Sequence, residues 1–223
     1  MSLKYRIGYV DENEEQVKLY KRKLKEYDFE VIGYNFEIGM SPEMLMEQIF
    51  KSDIDLLMID FKLNESNIVS FNGEVIESFI YDKKPLFPHI IFTNKVDQAE
   101  PFVEDWKIIF DKDDIFLDDE EDKTGVERFV TMLKKSIEQY RNHIKSKKII
   151  LSDLLEKSKT QELSAIDKNN ILAVQQELNI LDKTKASEVP RQLLVNDNIE
   201  SINNLRIEAE EFLQSLIQKR KNK

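Results

Sequence analysis

Short apolar runs alternate with helical patterns over the first half of the chain. The runs predict strands at residues 5–10, 30–36, 55–60, 89–94 and 106–112. The run at 55–60, DLLMID, is apolar at successive positions rather than at alternate ones. A parallel strand covered on both faces requires that pattern, because neither of its faces meets water.

Helical patterns separate these runs. Val17, Tyr20 and Leu24 recur at helical spacing within residues 14–27. Residues 41–52 open with a serine suited to an N-cap and with Pro42 at the first helical position. A third helix is expected to start near residue 72, and Pro101 limits the next to a short piece. The alternation predicts an α/β fold, a doubly wound five-stranded parallel sheet.

Strand patterns disappear after an acidic run at residues 111–125. Apolar residues from Phe129 to Leu155 lie three or four apart and predict one long helix or two nearly collinear ones. Further helices are predicted at 166–181 and 199–217, with Pro190 between them. The narrow apolar stripe of the last helix is typical of a helical hairpin, a bundle or a coiled-coil partner. We therefore predict an α/β domain at 1–125 and an all-helical region at 126–223.

Composition excludes several kinds of site. The chain has no cysteine, which excludes disulfides and thiolate metal sites, and its two histidines exclude a histidine-rich metal centre. It has no apolar run of 18 residues and no signal-peptide pattern, so a cytoplasmic protein without membrane contact is expected. Residues 1–125 carry 15 Lys and Arg against 29 Asp and Glu, whereas residues 126–223 carry 18 against 14. The first part is therefore expected to repel nucleic acid.

Polar side chains follow four of the predicted strands. Asp11 and Glu12 follow the first strand, Asp60 ends the third, Thr93 lies in the fourth and Lys112 ends the fifth. In an open parallel sheet these carboxyl ends form the crevice where ligands bind. Three close carboxylates favour a hard cation such as Mg²⁺. One of them could attack phosphorus, with the hydroxyl and the ammonium holding the phosphoryl oxygens.

These motifs, in this order, resemble the receiver domain of two-component response regulators over residues 4–123. The resemblance implies that Asp60 is the phosphoacceptor and that Mg²⁺ is the cofactor. It also implies that Thr93 is the switch hydroxyl and that Lys112 forms a salt bridge to the phosphoryl group.

The resemblance also implies a metal site and partners. Asp11, Glu12 and Asp60 would bind the metal, with the main-chain carbonyl of Lys62 as a further ligand. The phosphodonor would be a sensor histidine kinase or a phosphotransfer protein. The chain would be a signalling protein rather than an enzyme, and residues 126–223 would act on a protein effector or form a homodimer.

The sequence departs from the family pattern near the site. Asn94 stands where the family has a small residue. Asp113 stands where the family has a proline in a cis peptide, and Ile109 where it has an aromatic residue. The loop after Asp60 is longer than in the family, which implies an insertion near 64–71.

Other interpretations stay open. The chain could be a degenerate receiver that is not phosphorylated and serves as a protein-interaction adaptor. The basic stretch from Lys134 to Lys148 could contact nucleic acid, although Glu138 interrupts it. His143 could be a phosphotransfer histidine or an ordinary residue on a helix surface.

Overall fold

Five parallel strands form one sheet in the computed structural model, which describes residues 5–115 and 124–181. The strands are β1 (Tyr5–Val10), β2 (Phe29–Gly33), β3 (Leu56–Ile59), β4 (His89–Thr93) and β5 (Ile109–Asp111). They lie in the order β2-β1-β3-β4-β5. This is the flavodoxin-like, doubly wound order, in which the chain reverses direction across the sheet between β1 and β3. The predicted fold class is confirmed.

The described helices follow the predicted pattern closely. They are α1 (Glu14–Lys25), α2 (Pro42–Lys51), α3 (Gly73–Lys83), α4 (Val96–Ala99), α5 (Lys112–Ile115), α6 (Thr124–Thr160) and α7 (Ala165–Leu181). Ser41 caps α2, because its hydroxyl accepts a hydrogen bond from the Met44 N–H at 3.4 Å. The predicted long helix is a single one, α6. Among the described residues, no helix has the length and hydropathy that a membrane crossing needs.

The fifth strand differs from its prediction. A short 3₁₀ turn, Trp106–Ile108, precedes β5, so the strand is three residues long. Lys112 opens α5 instead of ending the strand. The side chain of Lys112 nevertheless projects from the carboxyl end of β5, where the sequence predicted it.

The sheet has an apolar core on each face. On one face, residues of α2 and α3 pack against the strands, with Leu45, Ile49 and Ile76 at most 1% exposed. On the other face, Leu24 of α1 and Leu133 of α6 are fully buried in a second cluster. All four residues of β3 are buried, which explains why that run is apolar at every position.

The chain divides into two compact units, residues 1–143 and 144–223. The described part of the second unit has its own apolar cluster, which includes Leu151, Ile171 and Leu178. The predicted domain division after residue 125 remains a prediction. The predicted helix at 199–217 lies outside the described residues.

Candidate functional site

The predicted site residues line one cleft of about 330 Å³ at the carboxyl ends of the strands. The loops after β1, β3 and β4 and the start of α5 form its walls. The predicted residues found there are Asp11, Glu12, Asp60, Lys62, Thr93 and Lys112. Parallel strands bring these positions together because all their carboxyl ends meet at one edge of the sheet.

The Lys112 ammonium lies between two carboxylates. Its Nζ is 2.7 Å from Asp60 Oδ1 and 3.1 Å from Asp11 Oδ2. All three residues are buried, with Lys112 only 5% exposed. The ammonium also lies 5.5 Å from the ring centre of Tyr9 and 5.7 Å from that of Phe92. Because buried charges are tolerated only when they are paired, the Lys112 ammonium offsets part of the cost of burying the two carboxylates.

Two further donors satisfy Asp11. The Tyr9 hydroxyl donates to Asp11 Oδ2 at 2.6 Å, and the Asn13 N–H donates to Asp11 Oδ1 at 2.9 Å. Burial, followed by the charge of Asp11, raises the pKa of Tyr9 well above its ordinary value. Tyr9 was not predicted as a site residue. Its signal was its position two residues before Asp11, since residues two apart on a strand point to the same face.

Asp60 is a buried carboxylate with two hydrogen-bond donors. Oδ1 accepts from Lys112, and Oδ2 accepts from the backbone N–H of Lys62 at 3.0 Å. Burial raises the pKa of Asp60 to about 6, although the Lys112 charge acts to lower it, and the Asp11 charge adds to the rise. Protonation of Asp60 is therefore much easier than that of an exposed aspartate.

Gly73 lets the start of α3 approach the site. Its N–H donates to the Phe61 carbonyl at 2.8 Å. A Cβ atom at this position would lie 2.3 Å from the carbonyl oxygen of Asp60, which no real Cβ contact allows. A side chain here would push α3 away from the loop that follows Asp60. Gly73 was not predicted as a site residue.

Glu12 points to the loop that the sequence predicted as an insertion. Its Oε1 accepts a hydrogen bond from the Ser66 N–H at 3.0 Å, and its Oε2 accepts from the Ser66 hydroxyl. In the described part of the chain, no three acidic or histidine side chains are arranged to hold a metal ion. The hard oxygen donors of the cleft fit Mg²⁺ in kind. In this arrangement Asp11, Glu12 and Asp60 each already accept hydrogen bonds from donors within the protein.

Two departures from the family pattern contact each other. The Asn94 Nδ2 donates to Asp113 Oδ1 at 2.7 Å. The backbone between Lys112 and Asp113 is trans, because no cis peptide occurs among the described residues. Beside this pair, the buried Thr93 hydroxyl accepts from the Lys95 N–H at 3.2 Å. Asn94 and Asp113 are separate departures in the sequence, and the structure joins them as one hydrogen-bonded pair.

Comparisons with known proteins give structural matches alone. No protein-family model matches the chain, and no curated protein matches its sequence. The response regulator TrrA of Thermotoga maritima, solved in complex with Mg²⁺-BeF, is 20% identical, and the match covers 58% of this chain and 99% of that one at a TM-score of 0.41. A receiver domain of the Francisella response regulator 1452 is 11% identical, with coverage of 61% and 98% and a TM-score of 0.41. The HemR receiver domain of Leptospira biflexa is 16% identical, with coverage of 60% and 94% and a TM-score of 0.39.

Proposed function

We propose that the chain is a phosphorylation-controlled response regulator of two-component signalling, in which Asp60 accepts a phosphoryl group. The observation that carries this proposal is the buried contact between Lys112 and the Asp60 carboxylate at the carboxyl edge of the sheet. A structural ion pair gains little by being buried, since replacing it with apolar residues is often neutral or stabilising. A buried lysine and aspartate that open into a cleft are better explained by chemistry.

The proposed reaction is a phosphoryl transfer. A carboxylate oxygen of Asp60 attacks the phosphorus of a phosphohistidine or of a small acyl phosphate. The bond from phosphorus to the donor breaks, its electron pair stays with the donor, and an acyl phosphate forms on Asp60. Lys112 then pairs with the phosphoryl oxygens, whose charge of about −2 exceeds that of the carboxylate. Thr93 lines the same cleft and can donate its hydroxyl proton to a phosphoryl oxygen.

Asp11, Glu12, Asp60 and the Lys62 carbonyl would hold Mg²⁺. When bound, the ion would neutralise charge on the phosphoryl oxygens and on the carboxylates around them. The chain's own contribution is to place Asp11 and Asp60 beside each other, which the Lys112 ammonium does at 3.1 Å and 2.7 Å.

The phosphorylation state is proposed to act through residues 126–223 on a protein effector or on a second copy of the chain. Nucleic-acid binding by this region receives less support, because two of its basic residues are engaged in ion pairs. Lys147 pairs with Glu177 at 2.7 Å, and Lys157 pairs with Asp167 at 2.7 Å. The sensor histidine kinase or phosphotransfer protein that supplies the phosphoryl group is the other expected partner.

A second candidate is a degenerate receiver that serves as an adaptor without being phosphorylated. The hydrogen bonds from Ser66 to Glu12 favour it, because they engage the carboxylate that would complete a three-acid metal site.

Intact-mass spectrometry after incubation with acetyl phosphate and Mg²⁺ distinguishes the two candidates. We expect a mass increase of one phosphoryl group in the wild type and none in Asp60→Asn. The matched control Asp82→Asn removes an exposed carboxylate of α3 and should be labelled like the wild type. An unlabelled wild type, tested also with phosphoramidate, would favour the adaptor.

Hydrogen exchange with and without beryllofluoride tests the proposed output. We expect protection to change in residues 144–181 when the acyl-phosphate mimic is bound. Unchanged protection there would contradict transmission to the helical region.

A further inference from the structure

A second cavity lies at the amino-terminal ends of β4 and β5, opposite the cleft that contains Asp11, Glu12 and Asp60, which we call the acid cleft. It has a volume of about 700 Å³, within the range of small-ligand sites. The second half of α3, the start of β4, the 3₁₀ turn before β5 and one face of α6 enclose it. None of the residues that line it takes part in the proposed phosphorylation chemistry.

The cavity wall favours a cation. Three carboxylates line it, those of Glu77, Glu104 and Asp105, and so do both histidines of the chain. Among the described residues, no lysine or arginine lines it, although the chain has 33 of them. In the part of the chain that the structure describes, no three of these acidic and histidine groups are arranged to hold a metal ion. The wall therefore suits an organic cation better than a metal.

Glu77 is the buried charge of this cavity. It is only 4% exposed, and none of the described residues donates a hydrogen bond to its carboxylate. The nearest polar atom is His89 Nε2, at 3.7 Å. His89 Nδ1 lies 2.8 Å from the Phe87 carbonyl. Because a carbonyl only accepts, Nδ1 donates to Phe87, and the 3.7 Å between Nε2 and Glu77 is too long for a hydrogen bond.

A buried carboxylate without a donor is costly, and a ligand can supply what is missing. Transfer of an ionised carboxylate out of water is unfavourable unless it is paired and hydrogen-bonded. An ammonium or guanidinium group in the cavity would both pair with Glu77 and donate to it. The Glu77 carboxylate thus indicates where the charged end of the ligand would lie.

Aromatic and aliphatic side chains indicate the other end. The rings of Phe87 and Tyr140 meet edge to face, with centroids 5.6 Å apart. Tyr81 and Leu86 also line the cavity and are 54% and 55% exposed. Such walls bury an apolar or aromatic body and attract a cation to the ring faces.

We propose that this cavity binds a small organic cation, an ammonium or guanidinium group on an apolar or aromatic body, with its charge on Glu77. The site is separate from the acid cleft and does not depend on phosphorylation of Asp60. Its ligand would be a second input to the protein, bound on the same sheet.

NMR titration of the ¹⁵N-labelled full chain tests the proposal, with protonated phenethylamine as the probe. We expect saturable shifts of the amides around Glu77 and His89. The neutral 2-phenylethanol, which has a hydroxyl in place of the ammonium, should bind about tenfold more weakly or worse, because it cannot form the charge-assisted hydrogen bond. Equal binding of the two probes, or shifts confined to other surfaces, would overturn the proposal.

Matched variants test the role of Glu77. Glu77→Gln should weaken phenethylamine binding about tenfold or more. Asp82→Asn removes the same charge from α3 outside the cavity and should leave the affinity unchanged. If Glu77→Gln does not fold, Glu104→Gln replaces it, since Glu104 is an exposed wall residue whose loss should also weaken binding. Wild-type affinity in the folded variant refutes the assignment.

Discussion

The buried carboxylate of Asp60 makes the stability of residues 1–143, the unit that contains the sheet (the sheet unit), depend on pH. Its pKa is about 6 in the folded chain against an ordinary value of 3.8. The folded state therefore binds this proton more tightly than the unfolded chain does, and ionisation of Asp60 costs folding free energy. A shift of about two pKa units corresponds to roughly 3 kcal/mol.

The direction of the pH dependence follows from this shift. Below about pH 3 Asp60 is protonated in both states, and the cost is absent. The cost grows as the pH rises toward 6 and is complete above about pH 7. On its own, then, Asp60 makes the protein more stable in mild acid than at neutral pH.

Comparison with Asp60→Asn isolates this contribution, because the amide keeps the shape of the side chain and does not titrate. Urea unfolding without Mg²⁺, followed by near-ultraviolet circular dichroism, measures the free energy of unfolding. All seven tyrosines and the single tryptophan lie within residues 1–143, so the signal reports the sheet unit. We expect the free energy of unfolding of the variant, relative to that of the wild type, to rise by about 3 kcal/mol between about pH 3 and pH 8.

Asp82→Asn is the control, since it removes an exposed carboxylate. Its difference from the wild type should vary far less with pH than that of Asp60→Asn. If the curves of Asp60→Asn and the wild type run parallel over the whole range, burial does not raise the pKa of Asp60, and the electrostatic account of the site is wrong.

Three further substitutions test other parts of the cleft. Lys112→Met leaves two buried carboxylates without their cation and should lower the free energy of unfolding, measured in urea at neutral pH, by about 3–5 kcal/mol. A negligible loss would contradict the pairing. Gly73→Ala places a Cβ atom 2.3 Å from the Asp60 carbonyl oxygen and should lower the free energy of unfolding in the same assay by about 1–3 kcal/mol. An unchanged stability would show that α3 can move away freely. Ser66→Ala removes the hydroxyl that donates to Glu12 and should raise the affinity for Mg²⁺, measured by calorimetry. Equal affinities of the variant and the wild type would mean that this hydrogen bond does not compete with the metal.

Much of the fold was predictable because its signals are local. Apolar runs, helical spacing and caps such as Ser41 act over a few residues, and they gave the strand and helix order. The position of Asp60 was equally local, since it follows the four buried residues of β3 directly. Strand five was the weakest prediction, because its three half-buried residues carry little pattern.

The partners within the cleft were not predictable in the same way. Glu12 and Ser66 are 54 residues apart, and Asn94 and Asp113 are 19 apart. Each bond depends on where two loops meet, and loop paths leave no periodic pattern in the sequence. The second cavity has the same origin, since Glu77 and His89 belong to different elements whose packing alone brings them together.

The sequence by itself determined which residues stand at the carboxyl edge of the sheet, because strand positions follow from apolar patterning and parallel strands share one edge. Only the tertiary structure decided what each of those residues contacts. It placed Lys112 between Asp11 and Asp60, turned Glu12 toward Ser66 and left Glu77 without a hydrogen-bond donor among the described residues. Burial and pairing of charges depend on packing between distant segments, and that packing sets the pKa of Asp60.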